Sequence, residues 1–240
     1  MDAEIIVIRN LSREALLQSA LELESAIQNA QIVVLPGGFS GGDEPDGSGK
    51  FIASFFRNPR LTDAVHDLLQ SRDGLMLGIC NGFQALIKLG LLPHWEIRDI
   101  QPGDPTLTFN TIGRHVATHA YTKVTSVMSP WMNLSYLGEV HPVAISHGEG
   151  RFIAKRLDIM EMQGRGQIVA QYCTPDGEIR LDMPANPNGS EWAIEAICSP
   201  DGRVLGKMGH SERIGHGVAK NIPGDHDDKI FAAGVGYFAR

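Results

Sequence analysis

Gly78-Ile79-Cys80-Asn81-Gly82 sets a thiol between two glycines, each two residues away. This is the spacing of a nucleophile elbow with cysteine in place of serine. In such an elbow a strained strand-to-helix turn lifts the nucleophile clear of the sheet edge, and the glycines leave room for the bend. The thiol would stand at a helix N-terminus, where the dipole and free N–H groups favour thiolate. The N–H of Asn81 would then face the oxyanion of a tetrahedral intermediate. The pentapeptide alone fits a small buried cysteine in a glycine-tolerant turn equally well. A thiol nucleophile also needs a base, and the base needs an orienting group. His210 and Glu212 offer that pair: two apart in an extended segment, their side chains point the same way. By itself a His-x-Glu pair fits a surface hydrogen bond better.

Pro36-Gly37-Gly38-Phe39 closes an apolar run, and its glycine amides offer a second oxyanion donor beyond a strand's C-terminal end. An ordinary loop glycine pair is the alternative. The stretch GGFSGGDEPDGSGK is not a phosphate loop: Glu44 stands where the first glycine is required, and Phe51 replaces the Ser or Thr. His115 and His119 are four apart in a strand-like segment without a third ligand, so no metal site is expected. Cys173 and Cys198 lie in apolar strand contexts and read as core.

The elements that must position these groups follow from periodicity. EIIVIRN (4–10), QIVVLPGG (31–38) and GLMLGIC (74–80) read as buried strands. Residues 11–30, 51–71 and 81–90 read as helices, the last stopped by Gly90. Apolar strands alternating with helices predict an α/β fold, a parallel twisted sheet with helices on both faces. After Pro93 the pattern changes. Segments 107–128, 142–154 and 167–172 read as additional β segments, DMPANPNGSE (182–191) as a loop, and 192–209 as a β-hairpin turning at Asp201-Gly202. One domain over residues 1–240 is the simplest organisation.

Composition narrows the function classes. With 240 residues and 42% hydrophobic content the chain can bury a large core. A net charge of −7 speaks against a general nucleic-acid binder, and no apolar run reaches the roughly 18 residues of a membrane span. The N-terminus lacks a secretion signal and the three cysteines show no paired framework, which together favour a reduced, cytoplasmic protein.

Taken together, these pieces resemble a class I glutamine amidotransferase, and more narrowly the glutaminase domain of phosphoribosylformylglycinamidine synthase. The resemblance rests on LPGGFSGGD (35–43), LGICNGFQALIKLGLLP (77–93), FNTIGRHVATH (109–119), ISHGEGRF (145–152), NPNGS (186–190) and MGHSER (208–213), in the family's order. It implies a flavodoxin-like fold and a glutaminase reaction. Cys80 would attack the side-chain amide of glutamine, His210 would shuttle protons, and Glu212 would orient His210. Gly37, Gly38 and Asn81 would form the oxyanion site, with Phe39, Gln84 and His147 about the glutamine. His147 and Glu149 carry no role that the residues themselves reveal. The resemblance implies no cofactor in this domain; ATP and Mg would belong to a synthetase partner, which uses the ammonia to make formylglycinamidine ribonucleotide. A γ-glutamyl hydrolase-like enzyme of the same fold and a non-catalytic scaffold module are the alternatives.

Two departures stand out. The family usually reads Met-Pro-His-Pro-Glu-Arg where this chain has Met208-Gly209-His210-Ser211-Glu212-Arg213. Gly209 and Ser211 therefore predict a looser turn under His210, one that prolines at both positions would leave as active or improve. The family also begins with a strand and loop ahead of the segment matching EIIVIRN. The chain is accordingly expected to lack its first strand and to be part of a longer polypeptide.

Overall fold

The structure is a computed structural model that describes residues 2–38 and 48–239. Helix α1 (Arg13–Asn29) starts where the Ser12 hydroxyl accepts the Ala15 N–H at 3.2 Å. It leads into strand β1 (Ile32–Leu35), helices α2 (Lys50–Phe56) and α3 (Pro59–His66), and strand β2 (Leu75–Ile79). Every residue of β2 is buried, as expected of an inner strand covered on both faces. Helix α4 (Asn81–Leu89) follows at once and ends at Gly90, whose φ of 86° is a left-handed helix stop. A short helix α5 (Leu91–His94) closes this half.

Strands β3 (Thr106–Phe109), β4 (Val116–Val124), β5 (Val140–His147) and β6 (Glu149–Ile153) come next, then helix α6 (Arg156–Gly164) and strand β7 (Ile168–Cys173). The hairpin of β8 (Ile194–Cys198) and β9 (Val204–Lys207) and the C-terminal helix α7 (Ile230–Tyr237) complete the chain. The main sheet runs β1-β2-β9-β8-β7-β4-β5, and β3 pairs with β6 in a small second sheet. β1, β2 and β9 are parallel, while every pairing from β9 through β8, β7 and β4 to β5 is antiparallel. The parallel part is thus three strands wide, and β9, the last strand in sequence, lies beside β2. That crossover brings residues just after β9 to the same sheet end as residues just after β2. Helix α4 packs closely there: a Cβ on Gly206 of β9 would stand 2.1 Å from the Phe83 ring.

Residues 4–10 differ from the expectation. They form no strand, and Ile5 and Val7 are exposed at 89% and 65%. The reason is pairing. β1 is hydrogen-bonded to β2 alone, and residues 4–10 pair with no strand, among the described residues. The Arg9 N–H goes instead to the Ser19 hydroxyl of α1 at 2.9 Å. An apolar segment without a neighbouring ladder cannot satisfy its backbone as a strand. Among the described residues no helix is long and apolar enough to cross a membrane.

Candidate active site

Cys80 is the one residue between β2 and α4, with φ 52° and ψ −106°. A non-glycine residue with positive φ stores strain that its surroundings must hold. They do so through backbone: the Cys80 N–H donates to the Lys207 carbonyl of β9 at 2.8 Å, and the Cys80 carbonyl accepts the Gln84 N–H at 3.0 Å. Both flanking glycines are sterically required. A Cβ on Gly82 would lie 2.0 Å from the Leu35 carbonyl oxygen, and one on Gly78 would lie 2.7 Å from the Gly82 backbone.

Burial pushes the Cys80 thiol up to about 11, against the N–H groups of Asn81 and Gly38 and the charge of Arg213, which pull it down. The helix-terminus effect expected from the sequence is therefore present, but desolvation outweighs it, and the resting group is a thiol rather than a thiolate. Its S–H faces the Ser146 carbonyl with sulfur and oxygen 3.8 Å apart. Cys173 and Cys198 are buried too, at about 11 and about 12. Acidity does not distinguish Cys80 from them; its backbone setting does.

His210 lies just past β9, its N–H donating to the Ala144 carbonyl of β5 at 2.8 Å. Its ring is buried, with Nδ1 2.5 Å from Glu212 Oε1, and Nε2 has no hydrogen-bond partner among the described residues. The His–Glu pair does not meet along a strand as the spacing suggested. It meets across a turn, closed by the Arg213 N–H on the His210 carbonyl at 3.1 Å. Burial raises the Glu212 carboxyl, but the His210 ring and its own backbone N–H outweigh that and hold it below the ordinary carboxylate range.

Gly37 ties the two halves together. A Cβ there would stand 2.6 Å from His210 Cε1 and 3.3 Å from Cys80 Cβ, so the His210 ring and the thiol flank the same point of backbone. Gly38, with φ +128°, has open space where a side chain would be. The N–H groups of Gly38 and Asn81 both act on the Cys80 sulfur, where an oxyanion hole would need them. Phe39, expected beside them, lies outside the described residues.

His147 is buried at the end of β5, with Nδ1 3.2 Å from Asn110 Oδ1 and Nε2 unpartnered among the described residues. Burial lowers it to about 4, and His115 and His210 add to the shift, so its ring is neutral. Gly150 clears its space: a Cβ there would stand 2.4 Å from the His147 ring. Asn110 gives its amide to the His147 carbonyl at 2.8 Å and accepts the Gly150 N–H at 3.2 Å. Its role as orienter of His147 was not legible, since Asn110 stands 37 residues away. Gln84, expected near the glutamine, donates its side-chain amide to the Glu149 carbonyl. Glu149 in turn accepts the Ser48 N–H at 2.8 Å. The NPNGS loop is internal scaffolding: Asn188 donates to the Gly150 carbonyl at 2.7 Å, and the Ser190 hydroxyl accepts the Phe152 N–H at 3.0 Å. No group of three or more metal-binding side chains exists among the described residues.

The His210 turn is also not loose. The Gly209 N–H donates to Glu195 Oε1 at 2.6 Å, and Ser211 Oγ donates to Asp228 Oδ2 at 2.5 Å. Proline at 209 would remove the first donor, and a Cβ there would press on Val143 at 2.6 Å. The expectation that proline is harmless at 209 does not fit this geometry.

Comparison with known proteins shows the family of the chain. The profile of the CobB/CobQ-like glutamine amidotransferase domain matches residues 1–238. A phosphoribosylformylglycinamidine synthase subunit PurQ from Moorella thermoacetica is 34% identical over 217 residues, covering 90% of this chain and 83% of that one. The PurQ of Bradyrhizobium diazoefficiens is 33% identical, covering 98% and 97%. Among solved structures, PurLQS from Thermotoga maritima superposes with a TM-score of 0.64 at 26% identity, over 87% of this chain and 80% of that one.

Proposed function

Since the chain belongs to the CobB/CobQ-like glutamine amidotransferase family, we infer its chemistry from that premise and from the site. It hydrolyses glutamine to glutamate and ammonia as the glutaminase component of phosphoribosylformylglycinamidine synthase, the ATP-dependent ligase of purine biosynthesis. The observation that carries the assignment of residues is Gly37, whose missing Cβ leaves the His210 ring and Cys80 side by side.

In our assignment the buried Cys80 thiol gives its proton to His210 Nε2, and the sulfur attacks the side-chain carbonyl carbon of glutamine. The oxyanion is held by the N–H groups of Gly38 and Asn81. As the intermediate collapses, His210 Nε2 passes its proton to the departing nitrogen, and ammonia leaves a γ-glutamyl thioester on Cys80. A water, deprotonated by His210, then releases glutamate. Glu212 keeps Nδ1 protonated, which leaves Nε2 as the acceptor. His147, neutral and with Nε2 open, supplies an acceptor at the wall of the site.

The ammonia passes to a synthetase partner of the kind present in PurLQS. ATP and Mg act in that partner and not on this chain. The three free cysteines suit a reducing, cytoplasmic setting. The deciding experiment is to mix the chain with glutamine and synthetase, quench, and locate the thioester by mass spectrometry. It is expected on Cys80; a γ-glutamyl group on Cys173 or Cys198 would refute the assignment. The isolated chain is expected to be slow with glutamine and to speed up when synthetase and its nucleotide substrate are added. Full uncoupled activity would contradict this partnership.

A further inference from the structure

The turn that carries His210 is surrounded by charge that the reaction itself does not use. Glu195 of β8 is completely buried; Oε1 accepts the Gly209 N–H at 2.6 Å, and Oε2 has no hydrogen-bond partner among the described residues. Lys207, the last residue of β9, is buried as well. Its Nζ donates to Ser211 Oγ and to Asp228 Oδ2, both at 2.6 Å. The two neighbours of His210 are therefore each tied to a buried acidic side chain, one through its N–H and one through its hydroxyl.

Buried charges are costly, and an isolated pair is seldom kept for stability alone. Burial works against the Lys207 ammonium, yet Asp228 and Glu195 outweigh it and hold its pKa above the usual lysine range. Asp228 is in turn fixed by its own segment. The Tyr121 hydroxyl donates to the Pro223 carbonyl at 3.0 Å, and His141 Nδ1 lies 3.0 Å from the Asp225 carbonyl oxygen. The C-terminal segment is thus pinned to β4 and β5, the strands that flank the site.

We infer that Glu195, Lys207 and Asp228 are positioning residues that hold the Gly209–Ser211 backbone, and with it the His210 ring, in register with Cys80. This rests on the reading of His210 as the proton carrier. Small displacements of a reacting group are costly, with about 1 Å worth up to roughly 100-fold. Breaking a cluster that only stabilised the fold would lower melting temperature and leave kcat alone.

The test uses the chain assembled with synthetase and reads kcat and KM for glutamine together with melting temperature. Glu195→Ala is expected to lower kcat about 10- to 100-fold while KM moves less than about twofold. Glu195→Gln, which keeps an oxygen for the Gly209 N–H, is expected to restore most of that loss. Ser211→Ala, the mildest change, is expected to lower kcat about 10-fold, and it carries the test if Glu195→Ala does not fold. In a His210→Ala background, Glu195→Ala should cost no further rate, because the group it positions is gone. Unchanged kcat in both Glu195→Ala and Ser211→Ala beside an inactive His210→Ala would overturn the inference and leave the glutaminase reading intact. So would an equal loss from Glu195→Ala with and without His210. Full activity of His210→Ala would instead remove the reading on which the inference rests.

Discussion

The two halves of the proposed catalytic pair are built in opposite ways. Cys80 stands in an elbow whose residue types are contiguous in sequence, with Gly78 and Gly82 clearing space and α4 starting at Asn81. His210 stands in a turn whose geometry comes from distant residues: Ala144 on its N–H, Glu195 on Gly209, Asp228 on Ser211. The elbow is strained, and its strain is held when β1 and β9 pair beside β2, through Leu35 against Gly82 and the Lys207 carbonyl on the Cys80 N–H. The His210 turn is unstrained but non-local, so it is placed only when the antiparallel half and the C-terminal segment have docked. A candidate nucleophile can therefore be picked out from five residues, whereas the support of its proposed base cannot.

The sharpest break of this comparison is Cys80→Ser. Glutaminase activity is expected to fall by at least about 10³-fold with the fold intact, since members of a catalytic unit fail together. Ammonia release and circular dichroism check it. On the other side of the comparison, Glu212→Ala is expected to lower kcat about 10²-fold, at the low end of acid–base contributions, because the His210 ring keeps its backbone support. A loss as large as that of Cys80→Ser would mean that Glu212 does more than orient.

Gly82→Ala probes the local strain directly. With a Cβ due 2.0 Å from the Leu35 carbonyl oxygen, backbone must move, and a stability loss of about 3 kcal/mol is expected in denaturant titration. Tolerance of alanine there would show the elbow to be looser than drawn. The smallest effect concerns the thiol itself. With its pKa raised to about 11, the thiolate fraction of Cys80 grows about tenfold for each pH unit below that value. Alkylation of the free chain by a neutral reagent, read at Cys80 by mass spectrometry, should rise that way from pH 7 to pH 10 without a plateau. A plateau near pH 8 would show that the helix terminus, not burial, sets its acidity.

Much of the parallel half was legible. Continuous apolar runs mark β1 and β2, Gly90 marks the end of α4, and the 192–209 hairpin is announced by its turn residues. Residues 4–10 misled because their continuous apolar run is that of a buried strand, while strand formation also requires a partner that composition cannot report. The expected thiolate failed for a related reason. The helix terminus is visible at Asn81, but the desolvation that outweighs it comes from residues packed over the thiol, among them the Ser146 backbone.

By itself, the sequence determined the strand–turn–helix around Cys80 and offered Cys80 and the His210–Glu212 pair as candidates for nucleophile and base. These depend on short-range sterics and on side-chain chemistry, which neighbouring residues already express. Only the tertiary structure decided where the pair meets the thiol, what Gly37 must leave open, how Asn110 fixes His147, and how buried charges at Glu195, Lys207 and Asp228 brace the turn. Those relations join residues between 4 and 173 positions apart through the crossover of β9 and the docking of the C-terminal segment. Their energies depend on burial and close approach, which exist only once the chain has folded.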